Sequence, residues 1–145
     1  MTAVAEIKNL YLGLLNAYNT GDAQFMSDFT ASKDMLVIGT DPTEWWDSHE
    51  TLLDALRVSL KEFRDAGVRV VASDPQAFVE GTVGWIADRP IFYLPDGSQV
   101  ESRVTAVMRL QDGVWKFAQQ HFSYAILNED FVAVNEQELS REVGA

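Results

Sequence analysis

An arginine and a histidine on the last long hairpin are the side chains of this chain best suited to chemistry. The run Ser102 to Tyr124 reads SRVTAVMRLQDGVWKFAQQHFSY, two alternating segments joined at Asp112-Gly113. Alternation sends successive side chains to opposite faces of a sheet. One face then carries Arg103, Thr105 and Val107, followed by Trp115, Phe117, Gln119, His121 and Ser123. Arg103 would offer a planar fork to a carboxylate or a similar oxygen pair. His121 can donate, accept or move a proton near neutral pH, with Gln119 and Ser123 as polar neighbours. The structural alternative pairs Arg103 with an internal carboxylate and His121 with a backbone carbonyl, because a buried charge requires a partner.

Asp41 is the second candidate. It lies in Gly39-Thr40-Asp41-Pro42-Thr43-Glu44-Trp45-Trp46, where two indoles that exclude water would raise a carboxylate's pKa towards that of a general base. Ordinary turn chemistry is the competing explanation for Asp and Thr around a proline. Trp45 and Trp46 are adjacent and would point in different directions, one into the core and one to the mouth of a pocket. Trp85 is a further candidate wall. Tyr11 and Tyr18 lie on the apolar stripe of the first helix and read first as core residues with satisfied hydroxyls; Tyr18 is also kept as a ligand-binding candidate. The two histidines, His49 and His121, are too few for a histidine-rich metal site, and there is no glycine-rich phosphate cradle or nucleophile elbow. No metal and no cofactor is expected.

The elements that must position these groups follow from periodicity. Val4, Ile7, Tyr11, Leu14, Leu15 and Tyr18 keep helical spacing up to the stop Asn19-Thr20-Gly21. Asp22 caps a short second helix carrying Phe25, Met26 and Phe29, and Met35 to Ile38 suits a strand. A polar loop is expected from Gly39 to Trp46. Asp47 and Glu50 have the form of a capping box, opening a third helix through Leu52, Leu53, Leu56, Leu60 and Phe63 to Gly67. Strand-like runs follow at Val68 to Ala72, Ala77 to Val79 and Val83 to Leu94, with Asp74-Pro75 and Pro90 interrupting the ladder. Helices first and a meander afterwards describe one α+β domain over residues 1–130, a cone-like curved antiparallel sheet wrapped around the N-terminal helices. Residues 131–145 form a polar tail, helical or disordered from Glu136.

Composition narrows the partners. The chain has 145 residues, no cysteine, and a formal charge of −11 from 22 acidic and 11 basic residues. One domain of this length buries roughly two thirds of its unfolded surface without disulfides. The acidic excess repels phosphate backbones and anionic lipid, so neither nucleic acid nor membrane is expected as a partner. No span-length apolar run or leader pattern is present, so a cytoplasmic protein is the expectation. The second hairpin face, with Val104, Ala106, Met108, Leu110, Ala118, Phe122 and Tyr124, is too apolar to face water. Covering it by a second copy predicts a homodimer through the outer face of the sheet.

The order helix, Asn-Thr-Gly-Asp, helix, strand, Gly-Thr-Asp-Pro-x-Glu-Trp-Trp, helix and meander resembles the nuclear transport factor 2-like (NTF2-like) superfamily, in its SnoaL-like, ketosteroid-isomerase-like branch. The ending Arg103-x-Thr105, Asp112-Gly113-x-Trp115-Lys116, His121-x-Ser123 is also similar to the calcium/calmodulin-dependent kinase association domain. The resemblance spans roughly residues 4 to 126. It implies a cystatin-like roll with a cone-shaped cavity between sheet and helices, within a dimer. Ketosteroid isomerases use a carboxylate base with a tyrosine and a protonated aspartic acid as oxyanion donors. Here the tyrosine position falls on Leu14 and the aspartic acid position near Ala106, and neither donates a hydrogen bond.

Three functions are compatible with these residues. The first is a dimer that binds a small organic molecule in a concave pocket lined by Trp45 or Trp46, Trp85, Arg103 and His121. The second is a cofactor-independent isomerase, cyclase or dehydratase-like enzyme, with Asp41 or His121 moving a proton and Arg103 stabilising an oxygen. The third is a non-catalytic association module.

Overall fold

The structure, a computed structural model, describes residues 1–133. The expected tail from Glu136 lies outside the described residues. Helix α1 (Ala3–Thr20) starts where the Thr2 hydroxyl accepts from the Ala5 amide and stops at Gly21, whose φ of 72° is left-handed. Its 3.6-residue stripe, Ile7, Leu10, Tyr11, Leu14, Leu15 and Ala17, is buried. Asp22 caps α2 (Ala23–Phe29) by accepting from the Phe25 amide. Helix α3 (His49–Asp65) is capped by Ser48 and not by Asp47: the Ser48 hydroxyl accepts from Thr51, which leaves Glu50 one position short of the expected box. Leu52, Leu53, Leu56 and Leu60 form its buried stripe.

Eight strands form one curved sheet: β1 (Leu36–Ile38), β2 (Trp45–Trp46), β3 (Arg69–Val71), β4 (Gln76–Glu80), β5 (Val83–Asp88), β6 (Ile91–Tyr93), β7 (Gln99–Gln111) and β8 (Val114–Tyr124). Their order is β2-β1-β8-β7-β5-β4, with β6 joining the start of β7 and β3 pairing β6. Pro90, which has no N–H to give to a ladder, separates β5 from β6 as expected. The polar loop expected at Gly39 to Trp46 ends in a short strand, since Trp46 pairs with Val37 and Trp45 with Ile38. The sheet is mixed: every pairing is antiparallel except that of β1 with β8. The hairpin turns at Asp112 and Gly113, with φ of 51° and 79°, the left-handed pair that matches strand twist in a two-residue turn.

The helices lie on one face of the sheet and build the core against it. Helix α1 comes close because Gly84 has no side chain: a Cβ there would sit 2.9 Å from Ile7 Cδ1. Asn19 then fixes β3, donating to the Val70 carbonyl and accepting from the Val70 amide at 2.8 Å each. Tyr11, fully buried, donates to the Asp88 carboxylate at 2.6 Å. The same carboxylate accepts from the Ser73 and Asp74 amides, so one acid ties α1 to the β3–β4 connection.

Which hairpin face meets the helices is the opposite of the expectation. Strand β7 alternates cleanly, with Ser102, Val104, Ala106 and Met108 buried, and Arg103 and Thr105 exposed. Strand β8 does not. Val107 is opposite Gln119 while Met108 is opposite Phe117, so Ala118 is an unpaired bulge residue. One extra residue exchanges the two faces: Trp115 and Phe117 are buried before it, Gln120 and Phe122 after it. Apolar area drives the choice, because Val104, Ala106, Met108, Trp115, Phe117 and Phe122 together remove far more of it from water than the polar face would. Those residues are covered by the chain's own helices. They therefore give no support to pairing with a second copy.

Candidate functional site

The hollow that the curvature leaves under α3 is the candidate site. A cavity of about 150 Å³ lies among α1, α3 and the inner face of the sheet, with Tyr18, Trp46, Leu56, Phe63, Phe92 and Phe122 among its walls. Tyr18 holds edge-to-face contacts with Phe63 and Phe122, both with ring centroids 5.9 Å apart, and Phe63 meets Phe92 in the same way. Such pairs fix ring orientation and keep the walls rigid. The polar wall groups are Tyr18, Thr40, Glu44, Ser59 and Tyr124.

Tyr18 and Glu44 set the electrostatics. Burial first, and the Glu44 carboxylate second, push the Tyr18 hydroxyl above its ordinary pKa. The hydroxyl therefore stays protonated and is a hydrogen-bond donor. Among the described residues it has no hydrogen-bond partner. Glu44 is aimed by its own loop: Gly39 donates its amide to the Glu44 carbonyl at 2.9 Å, and the Asp41 amide donates to Glu44 Oε1 at 2.8 Å. Gly39 is required for this fold-back, since a Cβ there would lie 2.7 Å from both Cβ and Oε1 of Glu44.

The residues singled out from the sequence divide between two places. Tyr18 and Trp46 line the cavity. Arg103, Gln119 and His121 are exposed on the outer face, with Ser123 half-buried beside them, so they do not project into the hollow under the helices. Arg103 and His121 do share a face of adjacent strands, opposite Ser123 and Thr105 respectively. Among the described residues neither has a side-chain hydrogen bond or ion pair, so the internal partners of the structural alternative are not found. Trp85 is 40% exposed and stacks on Phe78 across the outer face, while Trp45 is 62% exposed. Asp41 is exposed, and the Thr43 hydroxyl and then the Thr43 amide hold its pKa below the usual value. That is a turn-forming aspartate, the reverse of a tuned base.

The sequence did not single out Glu44, Thr40 or Ser59. Gly39, Thr40, Glu44 and Trp46 of this segment all line the cavity, and no residue-type signal marks Glu44 among them. Among the described residues there is no group of three or more acidic or histidine side chains placed to hold a metal ion.

Comparison with known proteins decides the family. Residues 7–127 match the SnoaL-like domain. The chain belongs to the SnoaL-like domain family. Solved structures agree on the fold. An NTF2-like protein of unknown function from Pseudomonas putida KT2440 is 15% identical with a TM-score of 0.75, covering 88% of this chain and 90% of that one. An NTF2-like protein from Streptomyces avermitilis, provisionally assigned as a dehydratase, is 13% identical with a TM-score of 0.73, covering 86% and 96%. A Xanthomonas campestris domain, provisionally assigned to calcium/calmodulin-dependent kinase II association, is 22% identical with a TM-score of 0.68, covering 83% and 86%. At these identities the likeness is one of fold. No curated protein matches the sequence. No helix among the described residues of this SnoaL-like chain is long and apolar enough to cross a membrane.

Proposed function

We propose that this SnoaL-like chain binds a compact, largely apolar organic molecule in the cavity under α3, with the Tyr18 hydroxyl donating to a ligand oxygen. One observation carries this: a half-buried, protonated hydroxyl without a hydrogen-bond partner among the described residues, on the wall of an aromatic cavity. A cavity of about 150 Å³ accommodates a single six-membered ring, as an engineered apolar cavity of about that volume takes up benzene. Polar groups at the mouth then leave room for a short substituent. Acetophenone is a suitable probe, because it combines one ring with one acceptor oxygen. Calorimetric titration should show saturable binding that weakens about tenfold in Tyr18→Phe, the worth of one neutral hydrogen bond. No binding to the unmodified chain would overturn the proposal.

Glu44 favours a second function on the same site. A carboxylate at the mouth and a donor hydroxyl inside could move a proton beside a carbonyl, as an isomerase or dehydratase-like step requires. Glu44 replaces Asp41 and His121 in that role. Enzyme-dependent deuterium exchange into the acetophenone methyl group, abolished in Glu44→Gln, is the expected result; exchange at the solvent rate would reject it.

The dimer proposal is kept on different residues. The outer face exposes Trp45, Phe78, Val83 and Trp85, and Phe78 stacks on Trp85 with centroids 5.7 Å apart. Pairing of two such faces would bury this aromatic patch, around Arg103 and His121. Light scattering should give twice the chain mass, and Trp85→Glu should give the monomer. A monomeric native chain would reject pairing. A cytoplasmic setting goes with this proposal on the compositional grounds given above.

A further inference from the structure

Gln120 is fully buried, and neither its side-chain nitrogen nor its oxygen has a hydrogen-bond partner. An amide in that state carries a desolvation penalty at both ends, so native interiors rarely leave one without water or a ligand. Its place gives the reason to think of a ligand. Gln120 faces inward on β8 directly opposite Val37 of β1, and Phe122 is the next inward residue along β8. Val37 and Phe122 both line the cavity. Gln120 is therefore one residue beyond the present wall. The Thr30 hydroxyl, 2% exposed and also without a partner, lies on the neighbouring segment opposite Phe117, the preceding inward residue of β8. Two orphaned polar groups on one inner surface, next to an aromatic hollow, are the mark of a subsite and not of a packing defect.

We propose that Gln120 is the polar end of the ligand site and that it selects molecules carrying a paired donor and acceptor, such as a carboxamide or a lactam, over simple ketones. The side-chain oxygen accepts the ligand N–H and the side-chain nitrogen donates to the ligand C=O. Reaching Gln120 from the cavity takes a side-chain shift at Val37, the wall residue directly opposite it. This inference rests on the proposed binding role of the cavity and deepens it.

Benzamide and acetophenone test it, since they have the same ring and carbonyl and differ by an amino in place of a methyl group. Benzamide should bind the native chain roughly tenfold tighter, and the Gln120 side-chain amide signals should shift in NMR on its addition. Gln120→Met, close in length and apolar, should erase the preference while acetophenone still binds. Equal binding of the two probes to the native chain overturns the Gln120 inference and leaves the cavity role standing. An undiminished preference in Gln120→Met overturns it as well. Failure of both probes to bind overturns both.

Discussion

Two tyrosines on one helix should respond oppositely to loss of the hydroxyl. Tyr11→Phe removes a 2.6 Å bond from a fully buried donor to the Asp88 carboxylate. Hydrogen bonds to a charged acceptor contribute about 1.5–3 kcal/mol, and Asp88 keeps two amide donors, from Ser73 at 3.2 Å and Asp74 at 2.9 Å. A loss of about 2 kcal/mol follows. With a urea dependence of about 2 kcal/mol per molar, the unfolding midpoint should fall by about 1 M. Tyr18→Phe removes no protein hydrogen bond, and takes a polar atom out of an aromatic wall. Its unfolding free energy should stay within about 0.5 kcal/mol of the native chain's, or rise, while acetophenone affinity drops about tenfold. Urea titration followed by tryptophan fluorescence measures both. A Tyr11→Phe chain as stable as the native one, or a Tyr18→Phe chain about 2 kcal/mol weaker with unchanged binding, would refute the assignment of one hydroxyl to structure and the other to ligand.

Alkaline pH provides a related check. Burial raises the pKa of both Tyr11 and Tyr18 above the ordinary 10.0, aided by the Asp88 hydrogen bond and by Glu44 respectively. The unfolded chain then releases protons that the native chain keeps, so stability held below pH 10.0 is lost as pH rises beyond it. Ultraviolet tyrosinate absorbance should show these two residues ionising only with unfolding; their ionisation in the native state would contradict the burial argument. Gly39→Ala should push Glu44 from the cavity mouth and destabilise by about 1–3 kcal/mol, measured in the same urea experiment. Deuterium exchange into acetophenone should fall with it, and a fully active, stable Gly39→Ala chain would show that the loop does not position Glu44. Deleting Ala118 should remove the bulge and leave Trp115, Phe117, Gln120 and Phe122 in strict alternation, all four still inward. No buried ring is then exposed, so circular dichroism should report a cooperative, native-like melt, and an unfolded or molten chain would contradict the bulge assignment.

The scaffold was legible because helices and turns are local. Ile7, Tyr11, Leu14 and Tyr18 announce a face by spacing alone, Gly21 and Asp22 mark its end, and Asp112-Gly113 fixes the hairpin. The SnoaL-like order of elements follows from those signals. The site was less legible because it depends on one residue. Ala118 looks like any small strand residue, and its removal from the pairing reverses which side of β8 faces the helices. Alternation carried through Ala118 without a bulge turns His121 inward, whereas the observed register puts Gln120 and Phe122 on the inner face and His121 on the outer one, beside Arg103. Asp41 drew notice as the acid beside Pro42, whereas Glu44, three residues on, is the carboxylate that the turn delivers to the cavity. Side-chain direction in a tight loop is set by its backbone hydrogen bonds, and these are not written in residue types.

Amide NMR of the native chain during titration with acetophenone tests the central claim most directly. Binding under α3 should shift the signals of Thr40, Ser59 and Phe122 and leave those of Arg103, Thr105 and His121 in place. Shifts confined to the outer-face set would put the ligand on the wrong side of the sheet and contradict the account.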